Sequence, residues 1–177
     1  MTSTRKPRLL LVDDEVPFAA NLLRLLSRRG YEVSAVHDGD SALRIIQERA
    51  FDVVILDQNM PGKDGITVLK ELKKKQPQLE VVILTGYGSV DLALKGFGFG
   101  VYDYIAKPIH LGDLEARIHS IIMQMGGSIS VSSKAGKGTE FEISLPCRDA
   151  DSGDSEPTRR KDSKNDLDEK AQATIGG

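Results

Sequence analysis

Residues 53–65 read VVILDQNMPGKDG, in which an apolar run ends on an acid and gives way to turn-forming residues. A short run rich in β-branched residues and bounded by proline and glycine predicts a buried strand, Val53–Leu56, that stops just before Asp57. Because neither face of this run is polar, the strand is expected in a parallel sheet covered by helices on both sides.

The same pattern repeats on either side of this stretch, where short apolar runs alternate with segments whose apolar residues recur at helical spacing. The predicted strands are Leu9–Val12, Glu32–Val36, Val53–Leu56, Val81–Leu84 and Val101–Ile105. The predicted helices are Val16–Arg29, Ser41–Glu48, Gly65–Lys75, Val90–Phe97 and Leu114–Met125. Glycines interrupt the fourth helix, which is therefore expected to be short or mobile. Five alternating pairs predict an α/β fold with a doubly wound, five-stranded parallel sheet over residues 8–125.

The two ends of the chain differ from this central region. After Gly126-Gly127 the apolar residues alternate strictly with polar ones, which predicts a β-hairpin within residues 126–147. Residues 148–177 carry too little apolar surface to offset the entropy of ordering, so a disordered tail is expected there. Residues 1–7 are likewise expected to be disordered.

Composition excludes several functional classes. The 24 basic and 26 acidic residues give a net charge of −2, so no broad positive field attracts DNA or anionic lipid. The single cysteine, Cys147, allows no intrachain disulfide, which fits a reducing compartment. The polar N-terminus, MTSTRKPR, resembles neither a signal peptide nor a membrane span. A cytoplasmic protein without DNA or membrane contacts is expected.

Acidic residues follow two of the predicted strands, Asp13 and Asp14 after the first and Asp57 after the third. The carboxyl ends of neighbouring strands in a doubly wound sheet line one crevice, so these three carboxylates are expected to converge. Taken singly, each acid could simply cap the following helix. Together they would repel one another unless some are protonated or a hard cation such as Mg²⁺ neutralises them.

Two further polar residues lie just beyond the fourth and fifth predicted strands, Thr85 and Lys107. Each alone could be an ordinary turn or surface residue. At successive strand ends, however, a hydroxyl and an ammonium group would face the same crevice as the acids. An acidic nucleophile, a bridging metal and donors for equatorial oxygens form a cradle for a phosphoryl group.

Four segments, LLLVDDE, VVILDQNMPGKDG, VVILTGYGS and YDYIAKPI, make residues 8–125 resemble the receiver domain of bacterial two-component response regulators. The resemblance implies the flavodoxin-like strand order 2-1-3-4-5 and a cis peptide bond before Pro108. It also implies the roles of the site residues: Asp57 as phosphoacceptor, Asp13, Asp14, Asp57 and the Asn59 backbone carbonyl as Mg²⁺ ligands, Thr85 and Lys107 as phosphoryl-sensing residues, and Thr85 with Tyr104 as the conformational switch.

The function that this resemblance implies is phosphorelay signalling. Asp57 would accept a phosphoryl group from a sensor histidine kinase or a phosphotransfer protein, and the receiver would promote its own phosphorylation and dephosphorylation without being an enzyme for another substrate. The switch formed by Thr85 and Tyr104 would then alter contacts with an unknown downstream protein.

Residues 126–146, GGSISVSSKAGKGTEFEISLP, resemble the closing portion of the ATP-binding domain of sensor histidine kinases. The other motifs of such a nucleotide site are absent from the sequence, so ATP binding is not expected. A hairpin is marginal alone and must pack on the receiver, on another copy or on a partner. Three alternatives stay open for it: a kinase fragment acting in trans, a structural element that joins chains as in a homodimer, or a remnant without a role.

Overall fold

The computed structural model describes residues 3–86, 98–134 and 138–147. Within them, five parallel strands form one sheet in the order β3-β2-β4-β5-β6. These strands are β2 (Arg8–Val12), β3 (Glu32–Val36), β4 (Val53–Asp57), β5 (Glu80–Thr85) and β6 (Asp103–Ala106). Counted from Arg8, this is the predicted order 2-1-3-4-5. The α/β fold class and the strand order are therefore confirmed.

Four helices in the described residues cover the sheet: α1 (Val16–Arg28), α2 (Gly39–Glu48), α3 (Gly65–Lys75) and α4 (Leu111–Gln124). The side chain of Asp38 accepts a hydrogen bond from the Ser41 backbone N–H and caps α2 at 2.7 Å. Asp64 caps α3 through the Thr67 N–H at the same distance. Such caps satisfy N–H groups that have no partner inside the helix.

Alternate residues of the strands point to two apolar layers. Leu9 and Leu11 of β2 pack with α1 and α4, whereas Leu10 and Val12 pack with α2 and α3. Strand β4 is buried along its whole length. The sheet is thus covered on both faces, as its continuous apolar runs require.

A second sheet joins the two ends of the described chain. Strands β7 (Ser128–Lys134) and β8 (Gly138–Pro146) form the predicted hairpin, and β8 pairs with β1 (Thr4–Arg5) to give the order β1-β8-β7. Ile143 and Leu145 of β8 are buried in the same apolar layer as α1 and α4. Of the three packing partners considered for the hairpin, the α/β domain of the same chain is the one observed.

The expectation that residues 1–7 are disordered is wrong for the segment that forms β1. Thr4 pairs with Pro146 and Arg5 with Leu145 in antiparallel register. The Arg5 guanidinium also contacts both carboxylate oxygens of buried Asp52, each at 2.7 Å. The sequence prediction failed because the partners that order this segment lie far away along the chain.

Two other predictions fall outside the described residues, namely the helix at Val90–Phe97 and the disordered tail at residues 148–177. Among the described residues, no helix has both the length and the apolar character needed to cross a membrane.

Candidate functional site

Three carboxylates meet at the carboxyl edge of the five-stranded sheet. Strands β2 and β4 are parallel neighbours, with Val12 opposite Leu56, so the residues that follow or end them lie side by side. Carboxylate oxygens of Asp13, Asp14 and Asp57 all lie within 4.8 Å of one another. Asp13 is fully buried and Asp57 is 2% exposed. The structure therefore brings together the three acids that the sequence placed at one crevice.

Lys107 supplies a positive charge to this cluster. Its Nζ lies 2.9 Å from Asp13 Oδ2 and 3.3 Å from Asp57 Oδ2. The Lys107 backbone is held to the neighbouring strand, because its N–H donates to the Thr85 carbonyl at 2.7 Å. The Lys107–Pro108 peptide bond is cis, as the resemblance implied. A lysine placed after β6 thus reaches across β5 and β4 to the acids.

A fourth acid, Glu15, shares the same ammonium group. Its Oε1 lies 3.0 Å from Lys107 Nζ, although the Glu15 side chain is 64% exposed. Glu15 lies within the motif LLLVDDE, but no role was predicted for it from the sequence. Its position directly after the two aspartates was the available signal, but only the fold shows that it reaches Lys107.

The pKa values of the central pair respond to this crowding in a consistent way. Burial raises the pKa of Asp57 above its ordinary value, and the nearby charge of Asp13 adds to the effect, while Lys107 and the Asn59 N–H oppose it. Burial alone would lower the pKa of Lys107, but its hydrogen bonds to Asp13 and Glu15 outweigh this and raise it. Lys107 is therefore firmly cationic, whereas ionised Asp57 is poorly stabilised.

The loop after β4 is held close to the phosphoacceptor candidate. Asn59 N–H lies 3.3 Å from Asp57 Oδ1, and Gly65 N–H donates to the Gln58 carbonyl at 2.9 Å. A Cβ atom on Gly65 would lie 2.5 Å from the Asp57 carbonyl oxygen, so only glycine fits at this return of the chain. Asn59 itself is exposed at the mouth of the site. The ligand role of its carbonyl stays a prediction.

The two predicted switch residues lie on the neighbouring strands. Thr85 ends β5, is half-buried, and its hydroxyl donates to the Gly86 carbonyl at 3.1 Å. Tyr104 lies on β6, and its ring packs against the apolar layer under α2 and α3. Burial raises the pKa of the Tyr104 hydroxyl. The coupling between these two side chains stays a prediction, and the segment that would follow Thr85 lies partly outside the described residues.

The acids at this edge outnumber the cations that contact them. Within the described residues, Lys107 is the cation paired with Asp13, Asp57 and Glu15, and Asp14 adds a further carboxylate. Oxygen ligands with excess negative charge are what Mg²⁺ prefers. The donor set of Asp13, Asp14 and Asp57 therefore fits a hard divalent cation.

Comparisons with known proteins identify the family to which the chain belongs. Residues 9–119 match the family model of the response regulator receiver domain. The chain therefore belongs to the response regulator receiver family, whose members act in two-component signalling.

Two curated relatives illustrate the match. The chain is 36% identical over 149 residues to the transcriptional regulatory protein PrrA of Mycobacterium leprae. This match covers 84% of the present chain and 64% of PrrA. It is 34% identical over 122 residues to the transcriptional regulatory protein TctD of Salmonella typhimurium, which covers 69% of this chain and 54% of TctD. The chain thus spans less than two thirds of either relative.

Solved receiver domains share both sequence and fold with the chain. A response regulator receiver domain protein from Clostridium thermocellum is 36% identical, with a TM-score of 0.64 over 67% of this chain and 95% of that chain. The receiver domain of NtrX from Brucella abortus is also 36% identical, with a TM-score of 0.62 over 65% of this chain and 98% of that chain.

Proposed function

We propose that Asp57 is the residue of this receiver that accepts the phosphoryl group. The observation that carries this proposal is the position of a buried, poorly stabilised carboxylate among Asp13, Asp14 and Lys107 at the carboxyl edge of the sheet. In the reaction, an Asp57 oxygen attacks phosphorus in a phosphohistidine. The new P–O bond forms as the P–N bond breaks, and the imidazole leaves with the bond electrons.

Asp13, Asp14, Asp57 and the Asn59 carbonyl would hold Mg²⁺, which would offset the negative charge of the acids and the incoming phosphoryl group. Lys107 Nζ already lies 3.3 Å from Asp57 Oδ2, so a small movement would bring it onto a phosphoryl oxygen. The Thr85 hydroxyl would donate to another, with Tyr104 following its movement. These residues bind and orient the group, and hydrolysis of the acyl phosphate returns Asp57 to its starting state.

We propose further that the signal leaves the protein as a protein contact. The expected donor of the phosphoryl group is a sensor histidine kinase or a phosphotransfer protein. The expected target of the signal is a downstream protein. The chain acts as a signalling receiver and not as an enzyme for a separate substrate. The relatives are named transcriptional regulators, but contact with DNA is not part of this proposal for the present chain. The division into a receiver at 8–125 and a hairpin segment at 126–147 is likewise proposed.

The alternative of a kinase fragment acting in trans gains no support. The family match and the relatives reported above are response regulators. In the structure the hairpin packs on α4 and on β1 of its own chain, which buries Ile143 and Leu145 without a missing nucleotide-binding domain.

Phosphorylation with acetyl phosphate and Mg²⁺ tests the assignment of Asp57. We expect intact-mass spectrometry to show a single added phosphoryl group on the wild type and none on Asp57→Asn. The matched control is Asp64→Asn, since Asp64 is an exposed acid on the same loop and asparagine caps a helix as well as aspartate does. Equal phosphate on wild type and Asp57→Asn would disprove the proposal.

A further inference from the structure

The terminal sheet has an open edge at β7. The order β1-β8-β7 places β7 at the end of the sheet, and among the described residues β8 is its only strand partner. Along the other edge of β7, backbone N–H and C=O groups face outward. An edge of this kind is a template for pairing with another strand.

Over residues 128–133, this edge lacks the charges and prolines that proteins use to block such pairing. These residues read SISVSS, and the strand carries a single charged residue, Lys134, at its end. The register between β7 and β8 runs without a bulge from Ser128, opposite Ser144, to Lys134, opposite Gly138. Val131 leaves 56% of its surface exposed on this strand. Residues 128–133 therefore present a regular, uncharged and partly apolar edge to solvent.

The hairpin is anchored so that this edge keeps a fixed orientation. Opposite Ile129 lies Ile143, which is 4% exposed in the core shared with α1 and α4. Further out, the Arg29 guanidinium lies 4.4 Å from the centre of the Phe141 ring. Strand pairing on this edge would therefore cost little ordering entropy, because β7 is already held extended.

The sequence of β7 is complementary to itself. In an antiparallel pair of two copies with the two-fold axis at Ser130, Ile129 of each copy lies opposite Val131 of the other. Ser128 then lies opposite Ser132, and no charged residues face each other within the paired stretch. Ile129 and Val131 share one face of the strand, so both apolar contacts form on the same side of the joined sheet.

We propose that a second copy of this chain pairs with β7 and forms a continuous six-stranded sheet, β1-β8-β7-β7-β8-β1, across a two-fold axis at Ser130. This dimer does not depend on the proposed phosphorylation, since Asp57 lies in the other sheet. Asp57→Asn should abolish phosphorylation and leave the dimer intact, so the two proposals fail separately.

Sedimentation velocity over a concentration series tests the dimer with the full chain. We expect a species of twice the 19.3 kDa of the chain, and a dissociation constant raised roughly tenfold or more in Val131→Lys, because the substitution places two ammonium groups near the axis. The control is Met123→Lys on α4, where a side chain of similar exposure, 58%, lies outside β7 and should leave the constant unchanged. A monomer at all concentrations, or a dimer insensitive to Val131→Lys, would overturn the proposal.

Cross-linking tests the register. In a Cys147→Ser background, mild oxidation of Ser130→Cys should give a covalent dimer, because facing residues of paired strands lie within disulfide distance. Glu140→Cys on the central strand β8 is the control and should stay monomeric. A covalent dimer of Val131→Cys but not of Ser130→Cys would overturn the axis at Ser130.

Discussion

Two buried aspartates stand at opposite ends of β4 and are stabilised very differently. Asp52, just before the strand, is 1% exposed, and Arg5 contacts both of its carboxylate oxygens at 2.7 Å. The backbone N–H of Arg8 donates to the same carboxylate at 2.7 Å. Its charge and its hydrogen bonds are satisfied by the protein itself.

Asp57, at the other end, is equally buried but lacks such support. Its contact with Lys107 is longer, at 3.3 Å, and the same ammonium group serves Asp13 and Glu15. Burial therefore raises its pKa. A buried acid with all its partners is structural, whereas one left short of positive charge among other acids is a place for a cation or a phosphoryl group.

The largest loss of folding stability is expected when the ion pair between Arg5 and Asp52 is broken. Arg5→Ala leaves Asp52 buried without its counter-charge and frees β1, and breaking a buried pair in this way costs roughly 3–5 kcal/mol. Urea unfolding measures the loss. The control is Arg49→Ala, whose pair with Glu32 is 3.0 Å long but nearly half exposed on both sides, so the expected loss is below about 1 kcal/mol. Equal losses in the two variants would remove the contrast between the pairs.

Mg²⁺ should stabilise the protein only through the acids at the Asp57 end of β4. At a Mg²⁺ concentration about 100 times its dissociation constant, binding to the folded state adds about 2.7 kcal/mol to the free energy of unfolding. Asp14→Asn should lose most of this gain, because it removes a charged ligand oxygen from the cluster.

Arg5→Ala serves as the control for the cation experiment. Its stability is lower at every Mg²⁺ concentration, but the increment caused by Mg²⁺ should equal that of the wild type. If Asp14→Asn kept the full increment, the acids at the carboxyl edge would not be the metal site.

Replacing aspartate by asparagine should change folding stability in opposite directions at Asp57 and at Asp52. Without Mg²⁺ at neutral pH, Asp57→Asn should stabilise the protein, since it removes a poorly solvated charge, and Asp52→Asn should destabilise it. Because the folded pKa of Asp57 is raised, the wild type loses stability as the pH rises through that pKa. The advantage of Asp57→Asn should therefore shrink as the pH falls below the carboxyl range. Thermal unfolding against pH measures both trends, and an advantage that grew in acid would contradict the assignment.

The smallest change in folding stability is expected for a substitution of Glu15. Glu15→Gln removes an exposed partner of Lys107, so the stability change should be about 0.2–1 kcal/mol. The freed ammonium group should pair more closely with Asp57, which would lower the Asp57 pKa. A carboxyl-resonance NMR titration can measure this shift, with Glu48→Gln on the outer surface of α2 as the control. An unchanged Asp57 titration would show that Glu15 does not compete for Lys107.

Much of the central fold was accessible from local patterns. Helix α3 and strand β3 have the predicted bounds, and the other described strands of the central sheet differ from prediction by no more than two residues at either end. Helix α4 begins at Leu111, three residues before the predicted start, and the preceding His110 is its N-cap residue, with an extended backbone and no side-chain cap. Such differences arise at helix ends, where capping depends on neighbours as well as on propensity.

The residues of the site could be predicted from the sequence, but not all of the contacts between them. Parallel strands bring their carboxyl ends to one edge, so Asp13, Asp14 and Asp57 could be placed together from the order of strands and acids alone. The sharing of Lys107 with Glu15 could not, since it depends on a contact between residues 92 positions apart.

The sequence by itself determined the alternating α/β pattern and the edge at which the acids gather, because both follow from periodicities within a few residues. Tertiary structure alone decided which buried aspartate is satisfied and which is not. Asp52 meets Arg5 from 47 positions away, through a strand that the polar N-terminus did not predict. The difference between a structural acid and a functional one lies in such distant partners, and only the folded chain brings them together.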